Sequence, residues 1–332
     1  MRTVQVQSFE PQVLRVDEVE PPVPGENDVV VDVVAIGVSF ADKLVVAGKY
    51  QALPPLPFAP GMEFSGTVRD VGSAVGTWRP GDRVVGYITH GAYSEQVMTK
   101  EHDLFAVPED VPLVDAATLS MPFLTAYLAI RECGFLQPGQ TVLVGGANGA
   151  VGHAAVQLIA AMGGHALACT RAPDTSDALI KAGASGVIDI SEGDLRTRLI
   201  AQVMDITEGR GVDIVLDPVG GEFFDAAMRV TAWRGHMVVI GFAGGGIPQV
   251  RANQLLLRTI SVGGMNLTSF RDHAPDLLRH GQADIFRLWR EGRIRSDIVR
   301  QYPLAEASVA LDFVAGGRND GRAVLLPGGS AT

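Results

Sequence analysis

The sequence has little cysteine, no excess of positive charge and no apolar N-terminal segment, and each shortage excludes a class of protein. Only Cys133 and Cys169 occur in 332 residues, so we expect two buried small side chains rather than a disulfide or a metal pair. The formal net charge of -10, without a basic cluster, argues against a nucleic-acid partner. Because the start of the chain, MRTVQVQSFEPQVL, lacks the apolar core of a secretion signal, we expect a cytoplasmic protein without a membrane partner.

Charged residues are also missing from residues 141–170, and this stretch has the pattern of a nucleotide-binding unit. Apolar runs at Thr141–Val144 and His165–Thr170 predict two buried parallel strands, and residues 154–162 have the spacing of an apolar helix. Glycines and polar residues such as Asn148 interrupt the apolar run, which argues against a membrane span. A sheet unit that binds no ligand stays open as an alternative, because central strands are apolar on both faces in any case.

The turn that precedes this helix is Ala147-Asn148-Gly149-Ala150-Val151-Gly152. It has the form of the dinucleotide fingerprint, with alanine in place of the first glycine. Gly149 lets the backbone approach a pyrophosphate, and Gly152 lets the helix pack close to the strand. Free N–H groups and a partial positive charge at the helix N-terminus suit the phosphates. The turn and its flanking elements therefore predict a dinucleotide site.

The length of the chain favours two domains, because 332 residues are many for a single core. Up to residue 110, short alternating runs broken by Pro and Gly are typical of an irregular β-barrel, in which residues 92–98 should be half exposed. Strands then alternate with helices as far as residue 265, which predicts an α/β doubly wound parallel sheet. A last strand at 323–326 is expected to return to the first domain. Ligands of such sheets lie at the carboxyl ends of the strands, here residues 145–152, 170–171, 217–220 and 241–243.

The end of the second strand, Cys169-Thr170-Arg171, indicates which cofactor is bound. NAD sites carry an acidic residue about 20 positions after the glycines to hold the ribose 2′-hydroxyl. This strand ends without an acid, and an arginine suits a 2′-phosphate. We therefore expect NADP(H) rather than NAD(H). Two alternatives stay open: Arg171 is a solvated loop charge, or Asp174 and Asp177 fold back to the ribose.

Short motifs spread over nearly the whole chain match one enzyme family. They are Gly37-Val38-Ser39-Phe40-Ala41-Asp42, Gly48-Lys49-Tyr50-Gln51, Leu56-Pro57-Phe58-Ala59-Pro60-Gly61-Met62-Glu63, Gly81-Asp82-Arg83-Val84, Phe123-Leu124-Thr125-Ala126-Tyr127, the turn at 147–152, Asp217-Pro218-Val219-Gly220-Gly221 and Gly241-Phe242-Ala243. Together they resemble the zinc-independent medium-chain dehydrogenases/reductases, in the zeta-crystallin-like NADPH:quinone oxidoreductase branch. The resemblance implies a discontinuous GroES-like β-barrel catalytic domain (1–122 and 266–332) around a Rossmann domain (123–265). It also implies a homodimer paired through the Rossmann domain.

Zinc is the first cofactor to test, because many relatives with this fold are zinc alcohol dehydrogenases. A catalytic zinc needs three protein ligands from Cys, His, Asp or Glu. The zinc enzymes have Gly-His-Glu where this chain has Gly61-Met62-Glu63, and no cysteine precedes Cys133. We therefore expect no metal. Reduction of a quinone or an α,β-unsaturated carbonyl stays feasible without zinc, because its electron-poor carbon accepts hydride.

The resemblance implies a pocket between the domains, over the nicotinamide, with Ser39, Asp42 and Tyr50 as catalytic candidates. Tyr50 is expected to donate a hydrogen bond to the acceptor carbonyl, or else to pack beside the Pro-rich loop. For Asp42, a local helix cap or ion pair is a simpler interpretation than a catalytic role. Relatives typically have Asn at position 39, so Ser39 has a shorter polar reach.

The resemblance and the strand-end argument together imply a set of cofactor-binding residues. Thr125 is expected near the nicotinamide, or else it caps its helix. Arg318 corresponds to a basic residue that relatives use on the 2′-phosphate, or else it is a loop charge. The full set is Thr125, Asn148, Gly149, Ala150, Val151, Thr170, Arg171, Gly241, Phe242, Ala243 and Arg318.

The leading hypothesis is an NADPH-dependent, zinc-independent reductase of quinones or α,β-unsaturated carbonyls. An enoyl-thioester reductase on the same scaffold is the enzymatic alternative, and it would need a longer groove and a basic patch for the CoA phosphate. A crystallin-like protein that holds NADPH with little turnover is an alternative of a different class.

Overall fold

A computed structural model describes residues 1–316 and 321–329; Arg318 lies outside them. The chain divides into two compact units. The first unit contains Met1–Met121, Gln282–Phe286 and the described residues from Ser296 onward, and the second contains Pro122–Gly281 and Arg287–Arg295.

The strands follow the alternating and apolar runs of the sequence. In chain order they are β1 Arg2–Phe9, β2 Gln12–Glu18, β3 Asp28–Val38, β4 Glu63–Val71, β5 Arg83–Tyr87, β6 Gln96–Lys100, β7 Leu104–Ala106, β8 Thr141–Val144, β9 His165–Thr170, β10 Ala184–Asp189, β11 Val212–Asp217, β12 Thr231–Val239, β13 Ser261–Gly264, β14 Ile298–Pro303 and β15 Arg322–Leu326.

The helices fill the segments of helical spacing, with short 3₁₀ turns at Glu101–Asp103, Pro173–Thr175 and Leu304–Glu306 and a π-helical turn at Ala129–Cys133. In chain order they are α1 Phe40–Val46, α2 Leu113–Thr118, α3 Met121–Leu128, α4 Ala150–Ala161, α5 Ser176–Lys181, α6 Leu195–Ile206, α7 Gly221–Val230, α8 Ala252–Arg258, α9 Leu267–His273, α10 Pro275–Arg290 and α11 Ala307–Ala315. In the described ranges, none of them is both long and apolar enough to cross a membrane.

The first unit is built on a mixed sheet with the order β14-β15-β3-β4-β5-β7. The strand β6 also pairs with β3, along its first residues. β3 is the central strand, and most of its DVVVDVVAIGV side chains are buried. The C-terminal strand β15 pairs antiparallel with β3, with Val324 opposite Gly37. The sheet therefore takes strands from both ends of the chain, which confirms the return of the last strand.

Residues 92–98 differ from the sequence expectation. Ala92, Tyr93 and Ser94 are buried, although the alternating pattern predicts a half-exposed strand. The strand β6 begins only at Gln96, while the N–H of Tyr93 donates to the carbonyl of Pro60 at 2.9 Å. The segment before β6 crosses the interior of the unit as a loop, so the two-residue alternation does not apply to it.

The second unit is a parallel sheet with the order β10-β9-β8-β11-β12-β13. All its neighbouring pairs are parallel. This is the order of a dinucleotide-binding Rossmann sheet, in which the direction of winding reverses between the first and fourth strands, here β8 and β11. The predicted doubly wound sheet is confirmed. Its core contains Leu143, Leu167, Val215 and Phe223 among other buried apolar side chains.

Candidate active site

The glycine turn joins β8 to α4 at the carboxyl edge of the parallel sheet, next to the point where the winding reverses. Gly146 has φ of +57°, a conformation that favours glycine. A Cβ atom on Gly152 would lie 2.3 Å from the carbonyl oxygen of Gly146. Gly149 is the N-cap residue of α4 and offers no side chain to the free N–H groups of the first turn. The turn is therefore a close backbone cradle that fits a pyrophosphate.

Asn148 ties this cradle to the end of β9. Its Oδ1 accepts a hydrogen bond from the Thr170 hydroxyl, and its Nδ2 donates to Thr175 Oγ1 at 2.6 Å. The N–H of Ala172 donates to Thr170 Oγ1 at 2.8 Å. The two segments that the sequence expects to touch the cofactor are thus fixed to each other by side-chain hydrogen bonds.

Arg171 follows Thr170 and is exposed. No ion pair of its guanidinium occurs among residues 1–316 and 321–329, although Asp174 and Asp177 are close in sequence and also exposed. An exposed, unpaired guanidinium beside the glycine cradle suits a phosphate group.

The loops after β11 and β12 complete this edge of the sheet. Asp217 Oδ1 accepts from the N–H groups of Val219 and Gly220, both at 2.8 Å. Gly220 has φ of +73° and packs beside Phe242. The N–H of Ala243 donates to the carbonyl of Pro218 at 3.0 Å, which joins the two loops.

Thr125 lies inside α3 and is buried, so it does not cap the start of that helix. Apart from Thr125, the cofactor candidates of the second unit lie at the carboxyl edge of the parallel sheet. They are Asn148, Gly149, Ala150, Val151, Thr170, Arg171, Gly241, Phe242 and Ala243. Their contacts to a nicotinamide cofactor stay a prediction.

In the first unit, Ser39 and Asp42 form the start of α1. Asp42 Oδ2 accepts from the backbone N–H of Ser39 at 2.8 Å and shares a hydrogen bond of 2.9 Å with the Ser39 hydroxyl. The N–H of Asp42 in turn donates to Ser39 Oγ at 3.3 Å. This reciprocal arrangement is a capping box, with aspartate in the place of the usual glutamate. Asp42 therefore does act as a local cap.

The same carboxyl is buried deeply. Asp42 is 1% exposed, and its Oδ1 has no protein hydrogen-bond partner in the described part of the chain. Burial raises the pKa of Asp42 to about 7, Glu63 adds to the increase, and the hydrogen bonds from Ser39 and the charge of Arg322 oppose it. Asp42 is consequently a carboxyl that titrates near neutrality.

An ion pair lies beside Asp42 in the interior of the unit. Arg322 of β15 donates through Nη2 to Glu63 Oε1, and the N–H of Met121 donates to Glu63 Oε2 at 3.0 Å. Glu63 is 0% and Arg322 5% exposed. The Tyr93 hydroxyl is also buried, and burial together with the charges of Asp42 and Glu63 raises the pKa of Tyr93.

Tyr50 is half-buried between α1 and β4. Burial raises the pKa of Tyr50, and the neighbouring Tyr87 and Asp42 raise it further. The structure therefore places the three catalytic candidates Ser39, Asp42 and Tyr50 in one region of the first unit. Whether they touch a substrate stays a prediction.

Sequence reasoning missed Glu63, Tyr93 and Arg322 as parts of this region. A signal was present for Arg322, because it begins the otherwise apolar strand β15, and charged residues are rarely buried unless paired. The pairing of Arg322 with Glu63 was not visible in the sequence, since 259 positions separate the two residues.

Metal ligands are not brought together in the residues that the structure describes: they contain no group of three or more His, Cys, Asp or Glu side chains able to hold a metal ion. Met62 is buried, and it stands where zinc relatives need a histidine.

Two family models match the chain. The one described as alcohol dehydrogenase GroES-like domain matches residues 25–109, and the one described as zinc-binding dehydrogenase matches residues 150–282. Quinone oxidoreductase-like protein 2 of Mus musculus is 36% identical over 315 residues, which cover 95% of this chain and 89% of the mouse protein. The structure of Escherichia coli quinone oxidoreductase complexed with NADPH aligns at a TM-score of 0.90 and 28% identity, over 98% of this chain and 100% of that one. The CurK enoyl reductase aligns at a TM-score of 0.84 and 25% identity, over 97% of this chain and 98% of that one.

The raised pKa of Asp42 predicts that the free energy of unfolding depends on pH. The folded protein holds a proton on Asp42 up to about pH 7, while the unfolded chain loses it near 3.8. Asp42 therefore stabilises the fold at low pH, and this contribution disappears as the pH rises through 7. Relative to Asp42→Asn, we expect the wild-type free energy of unfolding to fall by roughly 3 kcal/mol between pH 5 and pH 8.

Urea unfolding of both proteins at several pH values measures this difference. Asp70→Asn is the control, because Asp70 is exposed, and its pH dependence should match that of the wild type. Parallel curves for the wild type and Asp42→Asn would contradict the prediction.

Proposed function

The chain belongs to the quinone oxidoreductases of the zinc-independent medium-chain dehydrogenase/reductase family, and we propose that it is an NADPH-dependent reductase that transfers hydride to a quinone or an α,β-unsaturated carbonyl. The coarser assignment, an NADPH-dependent reductase of this family, is supported by the mouse relative and by the NADPH complex of the Escherichia coli enzyme. The acceptor is the part that we propose.

One observation supports this choice of acceptor more than any other. At the position where zinc relatives have a histidine, this chain has the buried side chain of Met62. A thioether is not a ligand that catalytic zinc takes. The chain therefore suits an acceptor whose carbon is already electron-poor, because such a carbon needs positioning and a proton more than a Lewis acid.

NADPH, when bound, supplies the hydride. We propose that residues 148–151 hold its pyrophosphate through backbone N–H groups and that Arg171 pairs with its 2′-phosphate. Gly241, Phe242, Ala243 and Thr125 are proposed for the nicotinamide end. Tyr50 would donate a hydrogen bond to the acceptor carbonyl, where negative charge develops as the hydride arrives.

An enoyl-thioester reductase is the second candidate, and the similarity to the CurK enoyl reductase favours it. Such an enzyme binds the phosphates of a thioester carrier, for which a basic surface is needed. The formal charge of -10 is a weak match to that requirement. A protein that holds NADPH with little turnover is the remaining alternative.

Turnover assays separate these candidates. We expect the purified protein to oxidise NADPH with a small quinone or with hexenal, and to do so at a higher kcat/KM than with crotonyl-CoA. The physical reason is that the first two acceptors need no phosphate-binding surface. Tight NADPH binding without turnover of any of the three would contradict the proposal, and a preference for crotonyl-CoA would favour the second candidate.

Cofactor choice depends on Arg171. Charge-assisted hydrogen bonds between an arginine and a phosphate contribute about 1.5–3 kcal/mol, so Arg171→Asp should weaken NADPH binding by roughly 10–100-fold. NADH binding should change little. Titration of cofactor fluorescence measures both affinities. The matched control is Arg196→Asp on α6, also exposed, and a native preference for NADH would overturn the assignment of Arg171.

We also propose a homodimer that pairs through the second unit. β13 is the last strand of the parallel sheet and is largely exposed, so its outer edge is available for pairing. The preceding helix α8 exposes Leu256 (79%) and Leu257 (80%), and Ile247 and Trp233 are exposed as well. Large apolar side chains so exposed on a folded protein are typical of a contact surface.

Leu257→Asp should disfavour this dimer, because it places a charge on an apolar contact surface. We expect sedimentation equilibrium to show a dimer for the wild type and mainly monomer for the variant. Val309→Asp on α11, another exposed apolar position, should stay dimeric. A monomeric wild type, or a variant as dimeric as the wild type, would contradict the proposed surface.

A further inference from the structure

The backbone on both sides of Arg171 is held by hydrogen bonds. Before it, the Thr170 hydroxyl accepts from the N–H of Ala172 at 2.8 Å. After it, the carbonyl of Ala172 accepts from the N–H of Thr175 at 3.0 Å and from the Thr175 hydroxyl at 2.6 Å. Thr170, Ala172 and Thr175 are all buried. Arg171 is therefore an exposed residue on a buried and hydrogen-bonded piece of backbone.

The side chain of Asn148 joins this loop to the glycine turn. Its Oδ1 accepts from the Thr170 hydroxyl, and its Nδ2 donates to Thr175 Oγ1 at 2.6 Å. The Thr175 hydroxyl then uses its hydrogen for the carbonyl of Ala172 and a lone pair for Asn148. We call the two hydrogen bonds of Asn148 to Thr170 and Thr175 the Asn148 bridge. The bridge connects the strand end before Arg171 with the 3₁₀ turn after it.

The same loop carries the acidic residues that could serve an NADH ribose. Asp174 lies in the 3₁₀ turn Pro173–Thr175 and Asp177 in the first turn of α5, and both are exposed. An acid that reached the ribose would favour the 2′-hydroxyl of NADH. Because Thr175 directly follows Asp174 and is hydrogen bonded to Asn148, the bridge also fixes the backbone that carries Asp174.

We propose that the Asn148 bridge sets the preference of this protein for NADPH over NADH, with Thr175 as a positioning residue that acts through Arg171. This inference rests on the proposed function, in which Arg171 pairs with the 2′-phosphate. Thr175 does not touch the cofactor itself, since its hydroxyl is buried against Asn148 and Ala172.

The bridge affects the two cofactors differently, because only NADPH has a phosphate for Arg171. An arginine on a mobile loop loses backbone freedom as well as side-chain freedom when it binds a phosphate. On a held backbone only the side-chain freedom is lost, so more of the charge-assisted hydrogen bond contributes to affinity. The 2′-hydroxyl of NADH does not use this contact. Loss of the bridge should therefore weaken NADPH binding more than NADH binding.

Thr175→Val tests the bridge, because valine has nearly the shape of threonine but no hydroxyl. The affinities for NADPH and NADH are measured by titration of cofactor fluorescence. We expect NADPH to bind roughly three- to tenfold more weakly, the range that a lost hydrogen bond gives, and NADH to bind as it does to the wild type. Thr175→Ser keeps the hydroxyl and should keep the native ratio of the two affinities.

The matched control is Ser176→Ala. The Ser176 hydroxyl donates to the carbonyl of Pro173 at 2.7 Å, so this variant removes a hydrogen bond of the same loop that does not involve Asn148. It should leave the ratio of NADPH to NADH affinity unchanged. A fall of the ratio as large as that of Thr175→Val would show that any loosening of the loop has this effect, and it would overturn the role of the bridge.

A double-mutant cycle shows whether Thr175 acts through Arg171. In an Arg171→Ala background there is no guanidinium to position, so Thr175→Val should cause no further loss of NADPH affinity. Asn148→Ala removes the same hydrogen bond from its other end and should lower the ratio of NADPH to NADH affinity as well. It therefore tests the bridge even if Thr175→Val does not fold.

The remaining outcomes separate this inference from the proposed function. Equal weakening of NADPH and NADH binding by Thr175→Val, or losses that add to those of Arg171→Ala, would give the bridge a merely structural role and overturn the inference alone. A native ratio in both Thr175→Val and Asn148→Ala would do the same. A wild type that prefers NADH would overturn the assignment of Arg171 together with this inference, and binding of neither cofactor would overturn the proposed function.

Discussion

The buried ion pair between Glu63 and Arg322 is the interaction on which the first unit depends. It joins β4, from the N-terminal part of the chain, to β15, near its C-terminus. Removing one charge from such a pair typically costs roughly 3–5 kcal/mol, because the other charge stays buried without a partner. Loss of either side chain would therefore weaken the pairing of the last strand with β3.

The same pair determines the chemistry of its surroundings. Since Arg322 is used by Glu63, the neighbouring Asp42 is buried without a cation of its own, and burial raises its pKa to about 7. In most proteins, a carboxyl that caps a helix is ionised. Here burial outweighs the capping contacts, so a residue that stabilises α1 also has a pKa near 7.

The second unit depends on a different constraint, the close approach of backbone to backbone. Gly152 has no room for a Cβ beside Gly146, and Asn148 holds the turn against Thr170. These contacts are local in sequence and obey a known spacing, which is why the glycine turn, its strand and its helix were predictable from the residues. The position of Arg171 at this edge of the sheet was predictable for the same reason, because it directly follows the end of β9.

The sequence by itself determined the alternation of strands and helices, the dinucleotide turn, the end of the second strand and the lack of zinc ligands at position 62, because each is a short-range pattern. It did not reveal that Tyr93 is buried, since its segment crosses the interior as a loop although it alternates like a strand. Only the tertiary structure decided which buried charges pair. Arg322 lies 259 positions from Glu63, and whether a carboxyl is neutral or ionised depends on the partners and the water that folding leaves to it.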